Sequence, residues 1–143
     1  MDREIWVRAV FAYLALQSVV VGAWALLAPR SFYDDFPGAG RAWVSVAGPY
    51  NEHLMRDVGA LNLAILVVFV LAALRPSRER TRLAAIVAIV WGLPHLIYHS
   101  FNTDGLGASD VVLNLGGLAI FVGLPVTVLV ASAPSSHPIP DDG

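Results

Sequence analysis

The chain contains no cysteine and no lysine, and only 14% of its residues are charged. Without cysteine there is no disulfide framework, no thiolate chemistry and no Cys-ligated metal. Without lysine, arginine carries the positive charge, and nine arginines stand against eleven acidic residues for a formal net charge of −2. That balance excludes nucleic-acid binding, which needs a basic surface. Disorder is excluded by the opposite property, a 57% hydrophobic composition. A soluble domain has roughly 45–50% apolar and about 25% charged residues. The excess of apolar side chains, with a mean hydropathy of +0.65, therefore calls for a non-aqueous surrounding. At 143 residues the chain holds one domain.

What is present is a set of uncharged runs. Residues 9–29 carry no Asp, Glu, Lys or Arg, nor do 58–74, and 83–101 carry none apart from His95 and His99. A fourth run, from 111, stays apolar until about Ala131. With a rise of 1.5 Å per residue, about 20 residues cross a hydrocarbon core about 30 Å thick. The runs do not alternate with period 2, so helices rather than a closed barrel satisfy the backbone in lipid. The expected fold is all-α: a polytopic four-transmembrane-helix bundle over 1–132, with helices at about 5–28, 52–74, 81–100 and 109–131. Residues 133–143, which include three prolines and His137, are expected to form a disordered tail.

Arginine also gives an orientation. Arg3 and Arg8 precede the first helix, and Arg75, Arg78, Arg80 and Arg82 fill the link between the second and third. Only Arg30, Arg41 and Arg56 belong to the other side. The positive-inside rule then places both termini in the cytoplasm of a cell whose inner (plasma) membrane holds the protein. A cleaved signal peptide at the first run is the competing reading, although that run is long for one. The first link on the far side, from about Arg30 to Asn51, carries Phe32, Tyr33, Phe36, Trp43 and Tyr50. Its length and aromatics suggest a lid, with rings at the membrane–water boundary.

The polar exceptions gather toward that far side. His53, Arg56 and Asp57 share one face at the start of the second helix, and His95 and His99 share one near the end of the third. Asp110 opens the fourth helix, as does Ser109, and Asn114 lies one turn deeper. Topology brings these three helix ends to one level, so the three faces are expected to converge on a pocket. Ionisable groups in a membrane segment mark a functional site by default. Two chemistries fit. In one, His53, Asp57, His95 and His99 bind a metal such as Zn, Fe or Cu, although Arg56 would repel it. In the other, Arg56 pairs with Asp57, Asp110 or an acidic ligand group while a histidine moves protons. Tyr98 is expected to point elsewhere, and Pro94 to kink the third helix. Gln17 and Asn62 read as inter-helix hydrogen bonders, and Gly22, Gly59, Gly92, Gly116 and Gly117 as sites of close helix approach.

The motifs Ala28-Pro29-Arg30-Ser31-Phe32-Tyr33, Gly48-Pro49-Tyr50-Asn51-Glu52-His53 with Arg56-Asp57-Val58-Gly59, and Gly92-Leu93-Pro94-His95 with His99 carry a resemblance. They resemble those of a family of small four-helix membrane proteins common in actinobacteria. By helix count and size the layout is also similar to the DoxX-like membrane proteins. That likeness implies an association with membrane redox complexes and quinone-linked oxidation, and assigns no residue a role. A looser likeness, of fold alone, is to the sterol-isomerase type of four-helix bundle. The expected function is a polar pocket that binds a small molecule, a lipid or a quinone headgroup. The alternative is a non-catalytic accessory subunit docked to other membrane subunits.

Overall fold

Three of the four long helices begin where a short polar side chain takes an unpaired backbone N–H. In the computed structural model, which describes residues 2–131, the Asp2 carboxylate accepts from the Glu4 amide at 3.1 Å and opens α1, Arg3–Leu27. Asn51 Oδ1 accepts from Leu54 N at 3.1 Å and opens α3, Glu52–Leu74. Ser77 Oγ accepts from Arg80 N at 3.2 Å and opens α4, Arg78–Phe101. The last helix, α5, is Ala108–Ala131. All four are long and apolar enough to cross a membrane. Most of each span lies outside the protein's own core, and Leu27, Val90, Val112 and Val130 are each more than two-thirds exposed on those outer surfaces. A bundle apolar on its outside is built for lipid. The fold is that of an all-helical, multi-pass membrane protein. The expected tail, 133–143, lies outside the described residues.

The interior of α1 and α3 is set by small residues. Val7, Val10, Phe11, Leu14, Ala15, Ser18, Gly22 and Ala25 form the buried stripe of α1. It packs on Met55, Gly59, Asn62, Ile65, Phe69 and Ala72 of α3, the most extensive helix pairing in the molecule. A Cβ added at Gly59 would sit 2.5 Å from Leu26 N and 2.9 Å from the Gly22 carbonyl oxygen. No side chain fits there, so glycine permits the crossing. Arginine closes both ends of this seam. Arg8, held by Glu4 at 2.8 Å, donates to the Ala73 and Leu74 carbonyls at the end of α3, each at 3.0 Å. Arg56, held by Glu52 at 2.8 Å, donates to the Leu26 carbonyl at the end of α1 at 2.6 Å. These carbonyls have no partner within their own helix.

The second pair, α4 and α5, is packed differently. The stripe of α4 is Thr81, Ala84, Ala85, Ala88 and Gly92, small enough to admit larger side chains from α5. A Cβ at Gly92 would lie 2.8 Å from the Phe121 ring and 2.9 Å from Val122. Gly116 and Gly117, read from sequence as contact glycines, have nothing within 4 Å of such a Cβ and face open space. Gln17 and Asn62 also differ from expectation: Gln17 donates to Tyr13 Oη at 2.6 Å and Asn62 to the Val58 carbonyl at 2.8 Å, each along its own helix. Helix α4 continues through Pro94. It starts at Arg78, so Arg78, Arg80 and Arg82 ride on its first turns rather than in a turn between helices.

The long link is structured throughout its first half. A short helix α2, Pro29–Asp35, follows α1 with Pro29 in its first turn, where a missing N–H costs nothing. Next comes a two-stranded hairpin, β1 Pro37–Gly38 and β2 Arg41–Ala42, and then a single 3₁₀ turn, Ser45–Ala47. The hairpin's two central residues, Ala39 and Gly40, have φ of 55° and 74°, as a primed turn requires.

Gly59→Ala should force α1 and α3 apart, because the contacts are backbone. The expected loss is about 1–3 kcal/mol, read as a lower melting temperature in detergent. Gly116→Ala, at open space, should melt no lower than wild type; equal melting of the two variants would remove the seam as a constraint.

Candidate functional site

The aromatic residues of the link form their own small core at one end of the bundle. Phe32, Ala25 and Met55 are buried there, with Val21, Trp24, Tyr33, Phe36, Val44 and Tyr50 around them. Phe36 sits at the centre, with ring centroids 4.8 Å from Phe32, 6.1 Å from Trp24 and 6.1 Å from Trp43. These edge and tilted contacts suit the ring quadrupoles. Trp24 Nε1 donates to Ser31 Oγ at 3.2 Å, and Tyr33 Oη donates to the Gly48 carbonyl at 2.6 Å. Arg30 pairs with Asp34 at 2.6 Å, and that carboxylate raises the guanidinium pKa above its ordinary value. The guanidinium lies 5.0 Å from the Tyr50 ring centroid. The link is therefore a folded lid on α1 and α3, and its rings face one another rather than serving only as boundary anchors.

The lid also reaches the other helix pair. The Asp110 carboxylate accepts from the Arg41 guanidinium and, at 2.8 Å, from Trp43 Nε1. Both side chains of the ion pair are about three-quarters or two-thirds shielded, at 24% exposed for Asp110 and 32% for Arg41. Charge-assisted bonds of this kind are short and strong. Asp110 was expected as a pocket residue or a helix cap; here it latches the lid to α5. Its partners, Arg41 and Trp43, were not among the expected site residues. One signal did exist: Arg41 is a lone arginine amid apolar residues, and such a charge near a membrane needs a carboxylate.

Beside the latch, the lid, the end of α4 and the α4–α5 link border an open cleft of about 200 Å³. Its walls are Trp43, Val46 and Ala47 from the lid, Tyr98, His99 and Asn102 from the end of α4, and Asp104 and Leu106 from the link. Gly105 is left-handed at φ 83°, and a Cβ there would lie 3.2 Å from Val46, so a side chain is disfavoured on two counts where lid meets link. Among the described residues His99 has no hydrogen-bond partner, and its Nδ1 is buried. Its ring is 4.7 Å from the His95 ring and 5.5 Å from Tyr98, edge to face. Tyr98, expected to point elsewhere, shares the cavity wall with His99. His95 in turn stacks on Trp91 at 5.7 Å, with planes 25° apart.

The three polar faces expected to converge do not all meet. His99 continues the stripe of Ala88 and Gly92 and is half-buried, and Asp110 and Asn114 continue the stripe of Phe121, so these residues lie along the α4–α5 seam, while His95 is exposed. Asn114 is 8% exposed and its Oδ1 has no partner. The face of α3 points outward. His53 and Asp57 pair with each other at 3.2 Å and are 87% and 62% exposed. The cause is helical phase: Met55 and Gly59 must face α1, and positions 53 and 57 are each two residues away, about 200° round the helix. Arg56 is engaged by Glu52 and the Leu26 carbonyl rather than by Asp57, Asp110 or a pocket. Among the described residues, no group of three His, Asp or Glu side chains is placed to hold a metal ion. Thus His53, Asp57, His95 and His99 are divided between two faces.

The fold and this end of it define a helical membrane protein with a lidded cleft at one end. Comparison with protein-family models, with curated proteins and with solved structures finds no match to this chain.

Asp110→Asn should weaken the bond to Arg41 and free the lid from α5. Hydrogen exchange should quicken at least tenfold in residues 41–47, an opening made about 1.4 kcal/mol easier, while α1 and α3 keep their protection. Unchanged exchange in 41–47 would show that the lid is held by its aromatic core alone.

Proposed function

We propose that the protein resides in a bacterial inner membrane and binds a small molecule, or the headgroup of a lipid, in the cleft beneath the lid. One observation carries this reading: an open cleft of about 200 Å³ is lined by His99, whose buried Nδ1 has no hydrogen-bond partner among the described residues. An unpaired polar group shielded from water costs about 1–3 kcal/mol, which a bound partner would offset. The cleft falls below the roughly 300 Å³ of a drug-sized site. It suits a headgroup rather than a large ligand. His99 is the contact residue, with His95 behind it. Asp110 with Arg41 positions the lid, and Asn114 lies one turn below that latch.

The lid end faces out of the cell in this proposal and both termini face in, because six arginines lie at the opposite end against three here. The four-helix layout suits a DoxX-like kinship, which we carry as part of the same proposal. A second reading, an accessory subunit of a membrane complex, is favoured by one feature. Gly116, Gly117 and Gly123 leave part of α5 unfilled, the kind of surface on which another helix packs closely.

The absence of cysteine makes the orientation directly testable. In intact cells, Ser109→Cys should react with a membrane-impermeant maleimide and Arg78→Cys should react only after lysis; the reverse pattern would invert the protein. For the cleft, the protein should be purified from native membranes beside Ala47→Trp, which fills the cavity. A small molecule or lipid species retained by wild type and depleted in the variant is the expected mass-spectrometric result. Identical species in both would remove the cleft as a binding site, and a stoichiometric partner protein in both would favour the subunit reading.

A further inference from the structure

The charges at the lid end do not cancel, and what is left over points to a ligand class. Six carboxylates lie there, Asp34, Asp35, Glu52, Asp57, Asp104 and Asp110, against three arginines, Arg30, Arg41 and Arg56. Each arginine is taken: Arg30 by Asp34, Arg41 by Asp110 and Arg56 by Glu52. Of the carboxylates that remain, Asp35 accepts from Ser31 Oγ at 3.0 Å and Asp57 pairs with His53. Asp104 has no hydrogen-bond or ionic partner among the described residues, and it is the carboxylate that lines the cavity.

The rest of the wall matches that charge. Trp43 and Tyr98 bring aromatic rings, Val46, Ala47 and Leu106 apolar surface, and His99 and Asn102 neutral polar groups. Among the described residues no lysine or arginine lines the cleft, and the Arg41 guanidinium of the latch is bound to Asp110. Trp43 has spent its N–H on the same carboxylate, so its ring is what remains to face a ligand. An anion would meet an unpaired carboxylate and no cation. A neutral group would leave that exposed carboxylate to water and gain no charge pairing from it. A compact organic cation satisfies both features: its charge pairs with Asp104, and its C–H groups lie against rings that attract cations. A net negative field over the whole lid end also concentrates cations there.

We propose that the cleft selects a small organic ammonium group, with Asp104 as the counter-charge and Trp43 and Tyr98 as aromatic walls. This rests on the reading of the cleft as a binding site and adds the chemical class. The group can arrive as a free amine or as the ammonium headgroup of a lipid, since both present the same chemistry.

The test is calorimetric titration of the full chain in neutral maltoside micelles with choline, and with its uncharged isostere 3,3-dimethyl-1-butanol. Choline should bind saturably and at least tenfold more tightly than the isostere. Asp104→Asn should weaken choline at least tenfold and leave the isostere unchanged, and Ala47→Trp should abolish both. Equal binding of the two probes, or choline binding indifferent to Asp104→Asn, overturns the ammonium assignment. If Ala47→Trp still abolishes binding in that case, the cleft remains a binding site for another class. Choline binding that survives Ala47→Trp overturns the assignment and the cleft together. Failure of choline to bind overturns the assignment alone, and the native-membrane purification then decides the cleft. Repeating the choline titration in nanodiscs separates the sources. Weaker apparent binding in phosphatidylcholine than in phosphatidylglycerol identifies a lipid headgroup as an occupant, whereas equal binding identifies a free amine; both support the ammonium class.

Discussion

The close crossing of α1 and α3 is the constraint on which the other arrangements rest. Gly22 and Gly59 bring two backbones into contact, and Arg8 and Arg56 tie the carbonyl end of each helix to the start of the other. The two ties share one local design, a glutamate followed four residues later by an arginine, Glu4 with Arg8 and Glu52 with Arg56. In each, the glutamate orients the guanidinium, so its fork reaches a neighbouring helix instead of solvent. The seam fixes the rotation of α3. Once Gly59 faces α1, His53 and Asp57 have to face outward, and no chemistry on their side chains can bring them into the bundle.

With α1 and α3 locked, the lid becomes the bridge to the other half. It is anchored on the α1–α3 side by its aromatic core, and on the α5 side by Asp110. Trp43 joins the two functions, since its N–H holds the latch while its ring walls the cavity. The cleft therefore exists only where three separate segments meet, the lid, the end of α4 and the α4–α5 link. Helix α4 contributes His99 because its stripe of small residues carries on past Gly92 at the same helical phase.

The four spans were legible because charge is so unevenly distributed that any long uncharged run in this chain is a helix in lipid. The lid was legible too, from its length and its five aromatic rings, and so were Gly22, Gly59 and Gly92 as points of close approach. The latch was not. Arg41 and Asp110 are 69 residues apart, and no local periodicity links a loop arginine to a helix start across two intervening spans. The facing of α3 was misjudged for a different reason. Near a membrane surface, polar residues on one helical face can look inward to a pocket or outward to water, and both give the same spacing. Glycine and methionine, not the charged residues, decide that question, and their stripe lies opposite His53 and Asp57. The open setting of Gly116 and Gly117 is the converse case: a glycine pair in a span signals contact only when a partner helix is present.

The reciprocal arginines also bear on how the protein sits in bilayers of different thickness. At 25 and 23 residues, α1 and α3 are about 37 and 35 Å long, more than an average hydrocarbon core of about 30 Å. Helix ends ordinarily need headgroups or water to solvate their last carbonyls, which ties their depth to the polar boundary. Here Arg8 and Arg56 supply solvation from within the protein. The ends of this pair can sink toward the acyl region, or the pair can tilt, without stranding those carbonyls. Hydrophobic mismatch, which already costs only fractions of a kcal/mol per Å, is thereby softened along the seam that holds the molecule together.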